Sequence, residues 1–234
     1  MRPPAAASQG AKRFLRGHGR AGNGRQARFF PVGKRILDIV LASLLLVVTS
    51  PLLIVAAILI KLTSPGPVLF RQTRIGLHER PFTMLKLRTM RVGCDDSTHR
   101  EFNTRELMGE LPDDLDGVFK PEDDPRITPV GRFLRRYSID ELPQLFNVLR
   151  NEMSLVGPRP SLSWEVSLFT PEQRRRHDCM PGMTGLWQVS GRNRLTMPEM
   201  LALDLEYVRS RSLRLDLWII FRTPFVVIFG NDTR

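Results

Sequence analysis

From Ile39 to Ile60 the chain runs 22 residues without a charged side chain, bounded by Lys34, Arg35 and Asp38 on one side and Lys61 on the other. As a straight helix this run is roughly 33 Å long, enough to cross the hydrocarbon core of a bilayer. It starts too late, is too long and lacks a following small-residue cleavage site for a secretory signal peptide. Two features argue against a simple span. Ser50-Pro51 sits at its middle, where Pro51 has no N–H for the carbonyl of Val47 and its ring crowds that turn. The arms, 36–50 and 51–62, then measure roughly 22 and 18 Å, each too short to cross alone. The hydroxyls of Thr49 and Ser50 are placed to satisfy carbonyls freed by a break. Both flanks are also basic: residues 61–91 carry seven Lys or Arg against one acid, Glu79. A spanning helix would put one basic flank outside, against the positive-inside tendency. A helix that enters, breaks at Ser50-Pro51 and returns keeps both flanks on one side, and it is preferred to a proline-kinked span. Asp38 follows Arg35 and Lys34 by three and four residues, within helical pairing distance.

Charge separates the rest of the chain into parts. Of the 35 Lys and Arg, nine fall in residues 1–35, which hold no acid, while the remaining 199 residues are nearly balanced at 26 basic to 24 acidic. The net charge of +11 therefore describes a tail and gives no reason to expect nucleic-acid binding. Residues 1–31 read as a disordered basic arm suited to inner-leaflet anionic lipid. Two cysteines, Cys94 and Cys179, make no disulfide framework and point to a reducing compartment. Residues 67–75 and 81–89 read as a β-hairpin around Gly76–Arg80. Residues 92–126, with 11 acids against four bases, read as a solvent-facing insertion. Helices are expected at about 139–150, 171–178 and 197–211. The stretch from Leu213 to Phe229, broken by Arg222 and Pro224, suits an interfacial or core helix rather than a span.

The segment Tyr137-Ser138-Ile139-Asp140-Glu141-Leu142-Pro143 carries the most chemistry. Pro143 belongs in a first helical turn. That favours Asp140 as N-cap, and a Ser138/Glu141 capping box is the other option. In the first case two adjacent carboxylates stand at a helix N-terminus, where partial positive charge favours their ionised forms. One carboxylate can then attack phosphorus while its neighbour ligates Mg²⁺, although Asp-Glu at a helix start is more often a solvated first turn. Three turn-held arginines accompany them: Arg159 in Pro158-Arg159-Pro160, Arg192 after Gly191, and Arg126 after Pro125. Such guanidinium groups suit bidentate phosphate binding. None is specific alone. Thiolate-metal spacing, HExxH, a Walker A loop and GxGxxG are all absent from the sequence.

Taken together, Lys34-Arg35 with Asp38, Ser50-Pro51, Lys61–Val68, Lys86-Leu87-Arg88-Thr89-Met90, Asp140–Leu145, Met153–Pro160 and Pro181–Gly185 resemble the bacterial sugar transferases, monotopic polyprenyl-phosphate phosphoglycosyl transferases. The resemblance covers about residues 32–230. It implies transfer of a sugar-1-phosphate from a UDP-sugar to undecaprenyl phosphate or a similar carrier, with release of UMP. It implies Asp140 as the nucleophile of a covalent phosphosugar intermediate, Glu141 as its partner in Mg²⁺ binding, and Lys34 and Arg35 near the carrier phosphate. Arg88, Arg126, Arg159, Arg192 and Asp204 match motif positions around the site. Two departures are small: Glu79 stands where the hairpin turn often has Gly, and Leu87 where an aromatic is usual.

The expected fold is α+β and helix-dominated. It comprises a basic arm (1–31), a re-entrant membrane helix hairpin (32–63) and a compact cytosolic catalytic domain (64–234) with a small β-hairpin and interfacial amphipathic helices. The expected location is the cytoplasmic face of the inner membrane, and a homodimer is left open. Two other classes compete: a non-catalytic membrane-anchored assembly or lipid-binding module in which Asp140-Glu141 only starts a helix, and a polytopic transferase using direct attack by the carrier. The latter needs several long spans, and the sequence offers one candidate.

Overall fold

The computed structural model describes residues 24–91, 104, 105, 107, 125–191 and 195–229. Arm residues 1–23, most of the acidic insertion and Arg192 lie outside them. The first helix, α1, spans Gly24–Thr63. It therefore begins inside the expected arm, where Arg25-Gln26-Ala27-Arg28 are good helix formers. It is also helical straight through Ser50 and Pro51, so the element is not interrupted at the expected break. The reason lies in the two hydroxyls. Ser50 Oγ donates to Val47 O at 2.8 Å, the carbonyl that Pro51 leaves without an N–H, and Thr49 Oγ1 donates to Leu45 O at 2.7 Å.

One stripe of α1 faces the rest of the protein. Asp38, Ala42, Ala56 and Ile60 are buried on it, whereas Val40, Leu44, Val47, Val48, Ile54, Val55 and Ile58 are exposed. Polar bonds fix both ends of the stripe. Near the start, Arg35 donates to Val148 O (2.7 Å) and Leu149 O (3.0 Å), and Asp38 Oδ1 accepts from Leu155 N at 3.1 Å. At the far end, the buried Arg88 donates to Ser64 O, Ser64 Oγ and Pro65 O.

The β-hairpin forms as read, with β1 (Leu69–Ile75) antiparallel to β2 (Pro81–Leu87) and Phe70 opposite Lys86. His78 and Glu79 in its turn take left-handed φ of 53° and 58°, which explains why a glycine would suit position 79. Glu79 is held there by both carboxylate oxygens, which accept from Arg174 Nη1 at 3.1 and 3.0 Å.

Helix α2 (Pro129–Arg136) starts on Thr128, whose Oγ1 accepts from Gly131 N, with Pro129 at the first position. Helix α3 (Gln144–Leu149) leads to β3 (Ser154–Val156), which pairs in parallel with β4 (Gly182–Thr184). The two chains touch so closely that a Cβ on Gly182 would lie 2.1 Å from Gly157 N. Short helices α4 (Ser163–Leu168), α5 (Pro171–Arg174) and α6 (Leu186–Ser190) fill the edges, with a 3₁₀ segment at Arg175–Asp178. Helix α7 (Met197–Ser210) opens on a capping box between Thr196 and Glu199, and α8 (Leu213–Phe229) closes the described chain. The core gathers Leu145, Val148, Met153, Leu186, Tyr207, Leu215 and Ile219. On α8 the opposite face leaves Leu217, Phe221, Phe225 and Ile228 exposed.

Asn147 locks this core to the hairpin. It has no exposed surface; its Oδ1 accepts from Leu85 N (3.1 Å) and its Nδ2 donates to Thr83 O (2.7 Å) and Glu152 Oε2 (2.6 Å). Asn147→Ala strands several buried polar groups, each worth about 1–3 kcal/mol. Denaturant unfolding should show a loss of at least about 2 kcal/mol, and Asn147→Asp should lose at least as much, because a carboxylate oxygen in place of Nδ2 would face the acceptors Thr83 O and Glu152 Oε2.

Candidate active site

Between α2 and α3 the chain turns through Ser138, a non-glycine residue at φ 54°, into a 3₁₀ turn at Ile139–Glu141. Pro143 then occupies the position before α3. Because Pro143 offers no N–H, this stretch closes by bonds three residues apart, from Glu141 N to Ser138 O (3.2 Å), Leu142 N to Ile139 O (3.2 Å) and Leu145 N to Leu142 O (3.0 Å). Asp140 is thus inside the 3₁₀ turn rather than the N-cap of a long helix. Ser138 makes no side-chain cap bond, so the Ser138/Glu141 box does not form either.

The tight turn drives Asp140 inward. Its relative exposure is 8%, and burial, reinforced by the adjacent Glu141 charge, pushes its carboxyl up to about 6 against the pull of Lys86 and Arg135. The sequence argument from a helix N-terminus expected the ionised form to be favoured. Desolvation outweighs that here. At neutral pH the group is still largely ionised, and it is more basic than a solvated carboxylate. Glu141 points outward and is half-exposed. Lys86 Nζ donates to its Oε1 at 2.7 Å.

The other predicted residues fall into separate hydrogen-bonded groups. Lys34 Nζ meets Asp216 Oδ2 at 2.7 Å, with Asp38 at 4.0 Å, and Arg35 is spent on the carbonyls that end α3. Arg88 holds the end of α1. Arg126 is half-buried, and its carbonyl accepts from Arg91 N at 2.9 Å. Arg159 and Asp204 line a common pocket with Glu165, Arg176 and Trp187. There Arg176 binds the Asp204 carboxylate, Ser161 Oγ (2.9 Å) and Arg159 O (2.8 Å). Burial pushes the Asp204 carboxyl up to about 6, while Arg176 and Arg159 pull it down.

Sequence reasoning missed Lys86, Asn147 and Arg176 as site-shaping residues. Lys86 had a signal, since it stands two residues before Arg88 at the end of a strand. Arg176 had none, because Arg174-Arg175-Arg176 reads as a solvated run. Cys179 is a buried free thiol, its pKa pushed by burial to about 11. Among the described residues no three His, Cys, Asp or Glu side chains cluster as a metal site. The donor set at Asp140-Glu141 nevertheless fits Mg²⁺, which usually takes one or two carboxylates and completes its shell with water and substrate phosphate oxygens.

Comparison with known proteins agrees with the motif reading. The family described as bacterial sugar transferase matches residues 29–230. The UDP-glucose:undecaprenyl-phosphate glucose-1-phosphate transferase of Caulobacter vibrioides is 46% identical over 198 residues, covering 81% of this chain and 67% of the relative. The exopolysaccharide production protein ExoY of Rhizobium meliloti is 39% identical, with 82% and 85% covered. The undecaprenyl-phosphate galactose phosphotransferase of Salmonella typhimurium is 40% identical over 87% of this chain, which spans only 41% of that longer protein. The chain belongs to the bacterial sugar transferase family.

The position of Asp140 makes a stability prediction. Because its folded pKa of about 6 lies above the ordinary carboxylate value, folding favours the protonated form. The group's contribution to stability is fully present below about pH 4 and is lost as pH rises through about 6. Asp140→Asn should therefore stabilise the fold by about 1–3 kcal/mol at pH 7.5, with the gain vanishing near pH 4. Thermal unfolding across that range checks it, and a simple capping residue would instead lose about 1 kcal/mol.

Proposed function

We propose that the protein is a phosphoglycosyl transferase that moves a sugar-1-phosphate from a UDP-sugar to a polyprenyl phosphate and releases UMP. The observation that carries this reading is the buried carboxylate of Asp140, raised toward neutrality beside the exposed Glu141, in a body fastened along an apolar helix. A solvated first turn would not bury its acid. The relatives' names support the substrate class.

In the first half-reaction a carboxylate oxygen of Asp140 attacks the sugar-bearing phosphorus. The bond from that phosphorus to the bridging oxygen breaks, and UMP departs with the oxygen. In the second, an oxygen of the carrier phosphate attacks the same phosphorus and Asp140 leaves as a carboxylate. Splitting the transfer keeps two anionic substrates from having to meet directly. Bound Mg²⁺ would supply charge neutralisation on the phosphoryl oxygens, with Glu141 as its protein ligand. Arg159 is held by its own backbone carbonyl on Arg176, which leaves its guanidinium to face an anion.

The helix supports a monotopic placement at the inner face of the cytoplasmic membrane. Arg35 and Asp38 near one end of the apolar run, and Ser64-Pro65 beyond the other, bind the same folded body. Chain segments tied to one body lie on one side of the bilayer, so α1 would dip into one leaflet without crossing it. The alternative of a non-catalytic lipid-binding module predicts no UMP at all.

Without lipid acceptor, the enzyme with its UDP-sugar and Mg²⁺ should release about one UMP per molecule and gain the mass of one phosphosugar. Asp140→Asn should do neither. Glu141→Gln should regain part of its activity at high Mg²⁺. Full turnover by folded Asp140→Asn protein overturns the nucleophile. For topology, cysteines placed at the exposed positions Val32 and Leu62 should both resist an impermeant thiol reagent in intact cells. Labelling of just one from outside would establish a span.

A further inference from the structure

Lys86 is a placed cation that the proposed transfer has so far left unused. Strand β2 fixes its backbone. Leu85 and Leu87 on either side are buried, and Asn147 holds both Thr83 O and Leu85 N. The ammonium lands 2.7 Å from Glu141 Oε1, and both side chains keep solvent contact at 25% and 38% exposure. An ion pair this exposed contributes little to stability, so folding alone does not account for it. Its charge is also felt at Asp140.

The pair poses a conflict that the proposed chemistry must resolve. An oxygen that accepts from an ammonium at 2.7 Å is occupied, yet that carboxylate is the proposed ligand of a divalent cation. Two carboxylates and a diphosphate also carry more negative charge than one divalent cation neutralises. Lysine suits an exchange of partners, because it is a compact charge on a flexible stem with three donors.

We infer that Lys86 is a place-holding cation, which occupies Glu141 in the empty enzyme and passes to a diphosphate oxygen of the UDP-sugar when a divalent cation takes Glu141. The inference rests on the proposed function above. Lys86 would then bind substrate, while in the empty enzyme its contact holds the half-exposed Glu141 carboxylate in place. Removing the ammonium should have two effects of opposite sign. The divalent cation loses a competitor and binds the empty enzyme more tightly, while the donor loses a ligand and binds more weakly. A purely structural lysine would weaken both.

The test compares wild type, Lys86→Met and Lys86→Arg in detergent. Mn²⁺ is titrated without substrate and read by the free-ion paramagnetic resonance signal, and donor KM and melting temperature are measured alongside. In Lys86→Met, Mn²⁺ affinity should rise about 2- to 5-fold, the range expected for losing a partly exposed competing ion pair. Donor KM should rise at least about tenfold. Lys86→Arg should recover most of the donor KM. Unchanged or weaker Mn²⁺ binding by folded Lys86→Met, with wild type binding normally, overturns the place-holder alone. Wild type that binds no Mn²⁺ and turns over in chelator overturns the metal reading, and the place-holder with it.

Discussion

A carboxylate with no exposed surface needs partners, and Asp216 has two. Lys34 Nζ lies 2.7 Å from one oxygen and Tyr207 Oη 2.8 Å from the other, and the same phenol reaches Val156 O at 3.1 Å. Burial raises the Asp216 carboxyl, and Lys34 and Tyr207 oppose that. The cluster joins α1, α7, α8 and β3 at one point. Such a buried pair adds little net stability over apolar packing, but breaking one side leaves an uncompensated charge. Its consequence is geometric: the apolar helix has one permitted rotation against the body, with Ala42 inward and Val40 and Leu44 outward. From β3 the chain passes directly through Gly157 into Pro158-Arg159-Pro160. The apolar helix and the loop that carries Arg159 are therefore set by the same contact.

Asp140 is another buried acid, and burial prevails at both. Asp216 is bonded to an ammonium, whereas among the described residues Lys86 is bonded to Glu141 and acts on Asp140 only through space. The Asp140 carboxyl rises to about 6. A carboxylate in this range stays ionised at neutral pH while keeping the basicity that solvation normally suppresses, which suits attack at phosphorus. The left-handed Ser138 and the missing N–H of Pro143 are what turn this side chain inward. A regular helix start would have left it in water.

Much of this was legible in the residues, and the remainder has identifiable causes. The uncharged run, the hairpin at 67–89 and the helix after Met197-Pro198 follow from composition, turn residues and the position of a proline, all of them local signals. Asp140, Glu141 and the Arg159 loop were singled out because prolines and a glycine bracket them. The 3₁₀ turn at Ile139–Glu141 was missed because capping rules assume a full helix follows. The parallel pair β3–β4 was missed because three-residue strands carry no period, and what joins them is the close approach of Gly157 and Gly182. Lys34 and Arg35 were paired by sequence only with nearby Asp38, because their partners, Asp216 and the end of α3, lie more than a hundred residues away. No local pattern announces such pairing.

The remaining question is why an apolar helix should carry so polar a fastening. Water is absent from a bilayer core, so every backbone group at that depth must find a partner inside the protein. Ser50 and Thr49 bond carbonyls at the middle of α1, and among the described side chains the contacts that fasten it to the body lie near its ends, by Lys34–Asp38 and Ser64. In the proposed placement those polar contacts would lie where headgroups and water can reach, and the exposed apolar faces of α1 and α8 would meet lipid. On the proposed function, a body held this way would keep Asp140 and Glu141 at a fixed height relative to the leaflet. The phosphate of a lipid carrier is restricted to a thin layer at that interface. Under that proposal, fixing the depth of the site would turn a search through a volume into a search across a plane, and the fastening of α1 would accomplish this before any substrate is bound.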